Sequence, residues 1–191
     1  MSENPYAAPQ SDLTHPGTHA NNAAFYVVSI KKFLTLYIAT LGAYQLYWFY
    51  RNWSLYRDKY KEKIWPVPRA VFSIFFVHAL FRYVRATIDR EGKRIDWDPR
   101  SNATMLVVLI ILSNMLNRAS MRLDSEWFVD LASTIILAPS AYVFYKAQVA
   151  VNLSCGDPEG SHNGEFTTAN FLWIGLGVLL WIAVIAGLFV K

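Results

Sequence analysis

An all-α integral membrane protein with three to five transmembrane helices is the fold class this sequence predicts, on three observations. Charged residues make up 17% of the 191 residues and apolar ones 54%, whereas an ordinary soluble domain carries about 25% charged residues. Residues 171–190 (FLWIGLGVLLWIAVIAGLFV) hold no charge, and a helix of that length rises about 30 Å, the thickness of a bilayer's hydrocarbon core. The eighteen lysines and arginines cluster beside apolar stretches, the placement that membrane proteins use and not the soluble basic face of a nucleic-acid binder. The one cysteine, Cys155, excludes an intramolecular disulfide and a cysteine zinc cluster. No metal or other cofactor is expected.

Residues 1–24 carry three prolines, few apolar side chains and two acidic ones, too little to offset the entropy of ordering them. They read as a disordered polar tail without the basic start and apolar core of a signal peptide.

Residues 25–100 read as a hydrophobic hairpin followed by an amphipathic basic helix at the membrane. Residues 33–50 are uncharged but contain Thr40-Leu41-Gly42 near their middle, which predicts a broken or re-entrant segment because glycine invites a turn. Seven rings then crowd between Tyr44 and Tyr56 before the chain turns basic. Tyr44, Tyr47, Trp48, Tyr50, Trp53 and Tyr56 are expected at the membrane interface, where such rings settle, with arginine and lysine just beyond. Residues 66–90 open on prolines, which suits a helix start. Within them His78, Arg82, Arg85 and Asp89 fall four, three and four apart, on one helical face opposite Phe72, Phe76, Ala79, Leu80 and Tyr83. His78, Arg82 and Arg85 are the candidate site for anionic lipid or a partner protein. The plainer reading is a basic decoration of the cytoplasmic side with an Arg85–Asp89 helical pair.

Residues 101–191 read as a transmembrane bundle with spans near 103–118, 127–151 and 171–190. The first is short, and Arg118 and Arg122 extend it by snorkelling. The second carries Asp130, Pro139 and Lys146, the basis of an alternative reading as a small oligomeric transporter or channel, with a kink expected at the proline. In the third, Ala183 and Gly187 are spaced for close approach by another helix. With three spans and a re-entrant hairpin, fifteen basic residues fall on one side and three on the other; with five spans they divide nine and nine. The first arrangement satisfies the positive-inside rule, with the tail cytoplasmic.

The loop of residues 152–170 gathers Cys155, Asp157, Glu159, His162 and Glu165. As a calcium loop from Asp157 it fails at position six, which is His162 where glycine is needed, and at position twelve, which is Thr168 where glutamate is needed. As a nucleophile site it lacks an orienting partner for the Cys155 and His162 pair. Its Gly, Asp-Pro and Asn-Gly steps favour a structural turn, with Thr167 or Thr168 capping the last helix. A membrane enzyme using Cys155 is the remaining alternative, and no catalytic residue is assigned.

The stretches TLGAYQLYWFYRNW, IWPVPRAVFSIFF and NLSCGDPEG, with NPYAAPQ near the start, resemble a family of small bacterial inner-membrane proteins grouped as a domain of unknown function. The resemblance covers most of residues 25–190. It implies a multi-pass protein of the bacterial inner membrane and brings no substrate, cofactor or catalytic residue. The expected role is therefore a non-enzymatic accessory or scaffolding protein with a basic cytoplasmic surface. Its expected partners are membrane lipids, anionic ones among them, and a protein partner or second copy of the chain, but not nucleic acid.

Overall fold

A computed structural model describes residues 23–122, 131–132 and 134–189. The fold is all-α. Seven helices stand among the described residues: α1 Ile30–Ala39, α2 Tyr44–Tyr60, α3 Pro66–Val71, α4 Ser73–Arg90, α5 Pro99–Arg122, α6 Leu137–Ser154 and α7 Thr168–Phe189. A 3-10 turn, Ser161–Asn163, lies between the last two.

The break expected at Gly42 is present, and its hydrogen bonds explain it. Leu41 and Gly42 both take positive φ, 51° and 84°, so the chain reverses within two residues. The Leu41 N–H donates to the Ile38 carbonyl at 3.1 Å and the Gly42 N–H to the Tyr37 carbonyl at 2.8 Å, the paired bonds of a Schellman C-cap. Thr40 joins the two helices: its hydroxyl donates to the Leu36 carbonyl at 2.8 Å and accepts the Tyr44 N–H at 3.0 Å. Helices α1 and α2 thus form a hairpin, zipped by Phe33 against Tyr44 and Trp48 at 5.8 and 6.2 Å between ring centroids.

Residues 66–90 form two helices. Pro66 opens α3, as first-turn proline should, and the chain bends at Phe72 before α4. The buried face of α4 runs through Val77, Leu80, Phe81, Val84 and Ile88, while Phe76 and Tyr83 turn toward Trp53 of α2. Phe72, expected with the apolar face, is exposed because it sits at the bend. Asp98 caps α5 by accepting the N–H groups of Arg100 and Ser101 at 3.0 and 3.2 Å.

Pro139 follows an interruption of the helical path: residues 134–135 are helical, Ile136 is a turn residue, and α6 begins at Leu137. The proline is the third residue of α6, and its missing N–H leaves the carbonyl of helical Ile135 without a donor four residues on, the interruption expected of a proline inside a helical path. Asp130, like residues 1–22, lies outside the described residues. Ten side chains of α6 are buried, which makes it the central helix of the core. Phe144 meets Phe33, Tyr37, Trp48 and Phe49 within 6.1 Å.

Helix α7 is different. It starts with a reciprocal cap between Thr167 and Asn170, packs chiefly on α1, and only 6% of residues 168–186 are buried. Leu172 and Leu179 stand 72% and 64% exposed, with Phe171, Trp173, Leu176 and Ile182 also exposed. Two helical stretches, Pro99–Leu116 and Thr168–Ala186, are long and apolar enough to cross a membrane.

Candidate functional site

The N-terminal segment before α1 is extended, and side-chain amides satisfy its backbone. Asn152 accepts the Val28 N–H at 3.2 Å and donates to the Val28 carbonyl at 2.9 Å. Asn52 accepts the Tyr26 N–H at 3.0 Å, Gln148 donates to the Tyr26 carbonyl at 3.1 Å, and Asn163 donates to the Val27 carbonyl at 3.0 Å. Gln148 also accepts the Trp48 indole N–H. Buried backbone groups need such partners; here α2, α6 and the 155–167 loop supply them and converge on one end of the molecule.

That end is the polar one. The Lys32 ammonium, buried against it, donates to the Asn163 side chain at 2.7 Å and the Glu165 carbonyl at 2.6 Å. This pins the start of α1 beside the chain leading into α7. The Lys93 ammonium donates to the Leu153 carbonyl at 2.9 Å, bringing the α4–α5 connection to the same end. Helix α7 then runs alongside α1. The Trp181 indole N–H reaches the Ile38 carbonyl at 3.0 Å, and a Cβ on Gly177 would come within 2.0 Å of the Ala39 carbonyl oxygen. The close approach therefore runs through Gly177, while Ala183 is exposed. With 1.5 Å per residue, the hairpin tip meets α7 near the middle of its roughly 33 Å length.

The basic stripe on α4 is on the surface, but two of its members have structural partners. Arg85 pairs with Asp89 at 2.9 Å and donates to the Ile95 and Trp97 carbonyls at 3.3 and 3.1 Å, fastening the α4–α5 loop. His78 lies 3.2 Å from the Thr104 hydroxyl. Arg82 is exposed, 5.7 Å from the Tyr83 ring. Beside them a second surface emerges that the sequence reading passed over. Trp65 and Phe75 are 78% and 75% exposed, with Val67, Val71 and Phe72 also open, next to exposed Lys61 and Lys63. The signal was available: proline-rich IWPVPRAV places a tryptophan and two valines around a basic cluster.

The aromatic run divides. Trp48 and Trp53 are fully buried and Tyr44 nearly so, because α2 packs against α1 and α6 on one side and α3 and α4 on another. Tyr56 stacks on Tyr83 at 4.7 Å. Tyr47 and Tyr50 alone of the six keep exposed rings, the pair suited to an interface.

Two cavities lie at opposite levels of the α1–α2 hairpin. Toward the polar end, about 460 Å³ is bounded by Arg51, Cys155 and His162 among others. Burial pushes the Cys155 thiol above its ordinary range, offset in part by hydrogen bonds with Ser154 and the backbone, and a protonated thiol is a poor nucleophile. Burial alone would raise the Asp157 carboxyl, but the His162 side chain at 2.8 Å and the backbone N–H groups of His162 and Ser161 hold it below its ordinary value. The loop's carboxylate and imidazole thus shape a turn. No group of three metal-ligating side chains occurs among the described residues.

At the hairpin tip, a larger cavity of about 630 Å³ lies between Gly42, Gln45, Leu106, Asn114, Ser140 and Val184. Lys146 and Pro139 do not line it; Lys146 sits 5.9 Å from the Tyr142 ring instead. Comparison of the chain with protein-family models, curated proteins and solved structures gives no match.

Proposed function

We propose that this chain is an integral protein of the bacterial inner membrane, acting without chemistry of its own as an accessory or scaffold. It crosses the bilayer in α5, in the segment ending with α6, and in α7, while the α1–α2 hairpin enters from the polar end and turns back at half depth. The observation that carries this reading is the surface of α7. A helix apolar on all sides, and covered only along the Gly177–Trp181 line, belongs in lipid, since such a continuous exposed face has no stable place in water. The distribution of basic residues supports the orientation, with the polar end cytoplasmic. There Lys61, Lys63 and Arg82, with Trp65 and Phe75 reaching the acyl boundary, form a basic surface for anionic head groups or an acidic partner.

The test is the lipid that copurifies. Protein extracted in membrane nanodiscs should carry more anionic lipid than the surrounding membrane, and the triple reversal Lys61→Glu, Lys63→Glu and Arg82→Glu should remove that enrichment. Equal lipid profiles for the two proteins would refute the lipid role.

A second reading, a small transporter or channel, has one observation in its favour: the cavity where the hairpin breaks. Irregular backbone at membrane depth is tolerated where it is buried in protein or lines a cavity, and broken helices are where transporters bind their substrates.

A further inference from the structure

We infer that the cavity at the hairpin tip is a binding site for an uncharged amphiphile whose head group bears hydroxyl or carbonyl groups, such as a monoacylglycerol or a long-chain alcohol. The inference rests on the membrane placement proposed above and adds the class of ligand.

Three features of the cavity carry it. First, its position is set by chain geometry. The tip at Leu41–Gly42 stops beside Gly177 of α7, whereas Ala183 and Val184, six and seven residues further along α7, line the cavity. The cavity therefore lies just past the level at which the hairpin ends, between helices that continue. Second, its volume of about 630 Å³ is that of a small-molecule site. Third, its lining divides by chemistry. Gln45, Ser113, Asn114 and Ser140 offer amide and hydroxyl groups, while Leu106, Leu109, Ile110 and Leu137 offer apolar wall. Among the described residues that line it there is no Asp, Glu, Lys, Arg or His. Against these described residues a charged head group would find no counter-charge, and a plain hydrocarbon would leave the amides idle. An uncharged head with hydrogen-bonding oxygens satisfies both halves.

Asn114 keeps hydrogen-bonding capacity for this work. Asn114 donates one N–H to the Ile110 carbonyl of its own helix at 2.8 Å, which leaves its oxygen and its second N–H for a ligand. A side chain is absent where the ligand approaches the tip: Gly42 has positive φ and the Tyr37 hydroxyl 3.4 Å from where its Cβ would stand.

The experiment is photolabelling of the full chain in phosphatidylcholine nanodiscs with a diazirine analogue of monodecanoylglycerol, mapped by peptide mass spectrometry. Exposed residues of α7 between Phe171 and Ile185 take label from any lipid-borne probe, and that label reports the membrane placement. The expected result is additional label on residues 106–114 and 41–45 that excess monodecanoylglycerol removes, while decyl phosphate and decyltrimethylammonium do not. Replacing Gln45 and Asn114 together by leucine should raise the competing concentration about tenfold, the loss of one or two modest hydrogen bonds. Leu109→Trp, which fills the cavity, should abolish the competed label. Label on α7 with no competed label at the tip overturns the ligand inference and leaves the membrane placement standing. Absence of label on α7 overturns both. Equal competition by all three amphiphiles also overturns the inference, since partition into lipid explains it.

Discussion

Gly177 of α7 lies so close to Ala39 of α1 that a Cβ added to the glycine would stand 2.0 Å from the Ala39 carbonyl oxygen. Helix α1 ends at that carbonyl and α7 passes it, so one glycine sets how closely the exposed apolar helix and the hairpin approach. Gly177→Leu must push α7 away and break the hydrogen bond from Trp181 to Ile38. The expected loss of stability is about 1–3 kcal/mol from overpacking. A lowered thermal midpoint in detergent, with a red-shifted tryptophan emission, checks it; an unchanged midpoint would mean that α7 hangs free of α1.

Asn152 holds both backbone groups of Val28 and accepts from Gln148. Asn152→Leu keeps the volume and leaves buried polar groups without partners, each costing about 1–3 kcal/mol. Limited proteolysis should then cut the chain near residues 24–29 in the variant and spare the parent protein. Equal resistance would show that the N-terminal segment is held by other means.

The raised Cys155 thiol makes a prediction for alkaline pH. Its folded value lies above the unfolded one, so its contribution to stability is complete below the ordinary thiol range and disappears as pH rises through the folded value. Iodoacetamide should modify the folded protein only at pH above that at which a free cysteine reacts, and Cys155→Ser should leave the remaining function intact. A thiol that reacts fully near pH 7 would revive the catalytic reading of this loop.

Asp157 titrates in the opposite sense. Its folded carboxyl lies below the unfolded value, so its stabilising contribution is present above the ordinary carboxylate range and is lost as pH falls through the folded value. The protection of the Ser161 and His162 amides, whose N–H groups it accepts, against hydrogen exchange should fall on acidification below about pH 4. Asp157→Asn should show fast exchange at neutral pH too; a flat profile in the parent protein would place the turn's stability elsewhere.

What the sequence made legible follows from what each residue type can reveal alone. Gly42 between apolar helices announces a turn, and the uncharged run before Lys191 announces a helix that needs no soluble partner. The spacing of His78, Arg82 and Arg85 shows a shared face but not that Arg85 is spoken for by Asp89 and two carbonyls, because those acceptors come from a loop. Trp48 and Trp53 suit an interface and a core equally by composition; burial on two sides by neighbouring helices decides between them. Gln148 and Asn152 on α6 gave no signal, as their partners lie a hundred residues or more earlier in the chain. Pro139 announced an interruption because proline lacks the N–H that the preceding turn needs, and the helical path breaks at Ile136 just ahead of it.

The central claim is that both ends of the α1–α2 hairpin lie on the same side of a membrane that α5 and α7 cross. Single cysteines at Lys31, Lys63, Glu165 and Arg118, all exposed, in a Cys155→Ala background test it by labelling with a membrane-impermeant maleimide in sealed inside-out and right-side-out vesicles. The account predicts that positions 31, 63 and 165 react together from the cytoplasmic face and position 118 from the opposite face. Reaction of positions 31 and 63 from opposite faces would show that the chain crosses between them and would contradict the half-depth hairpin.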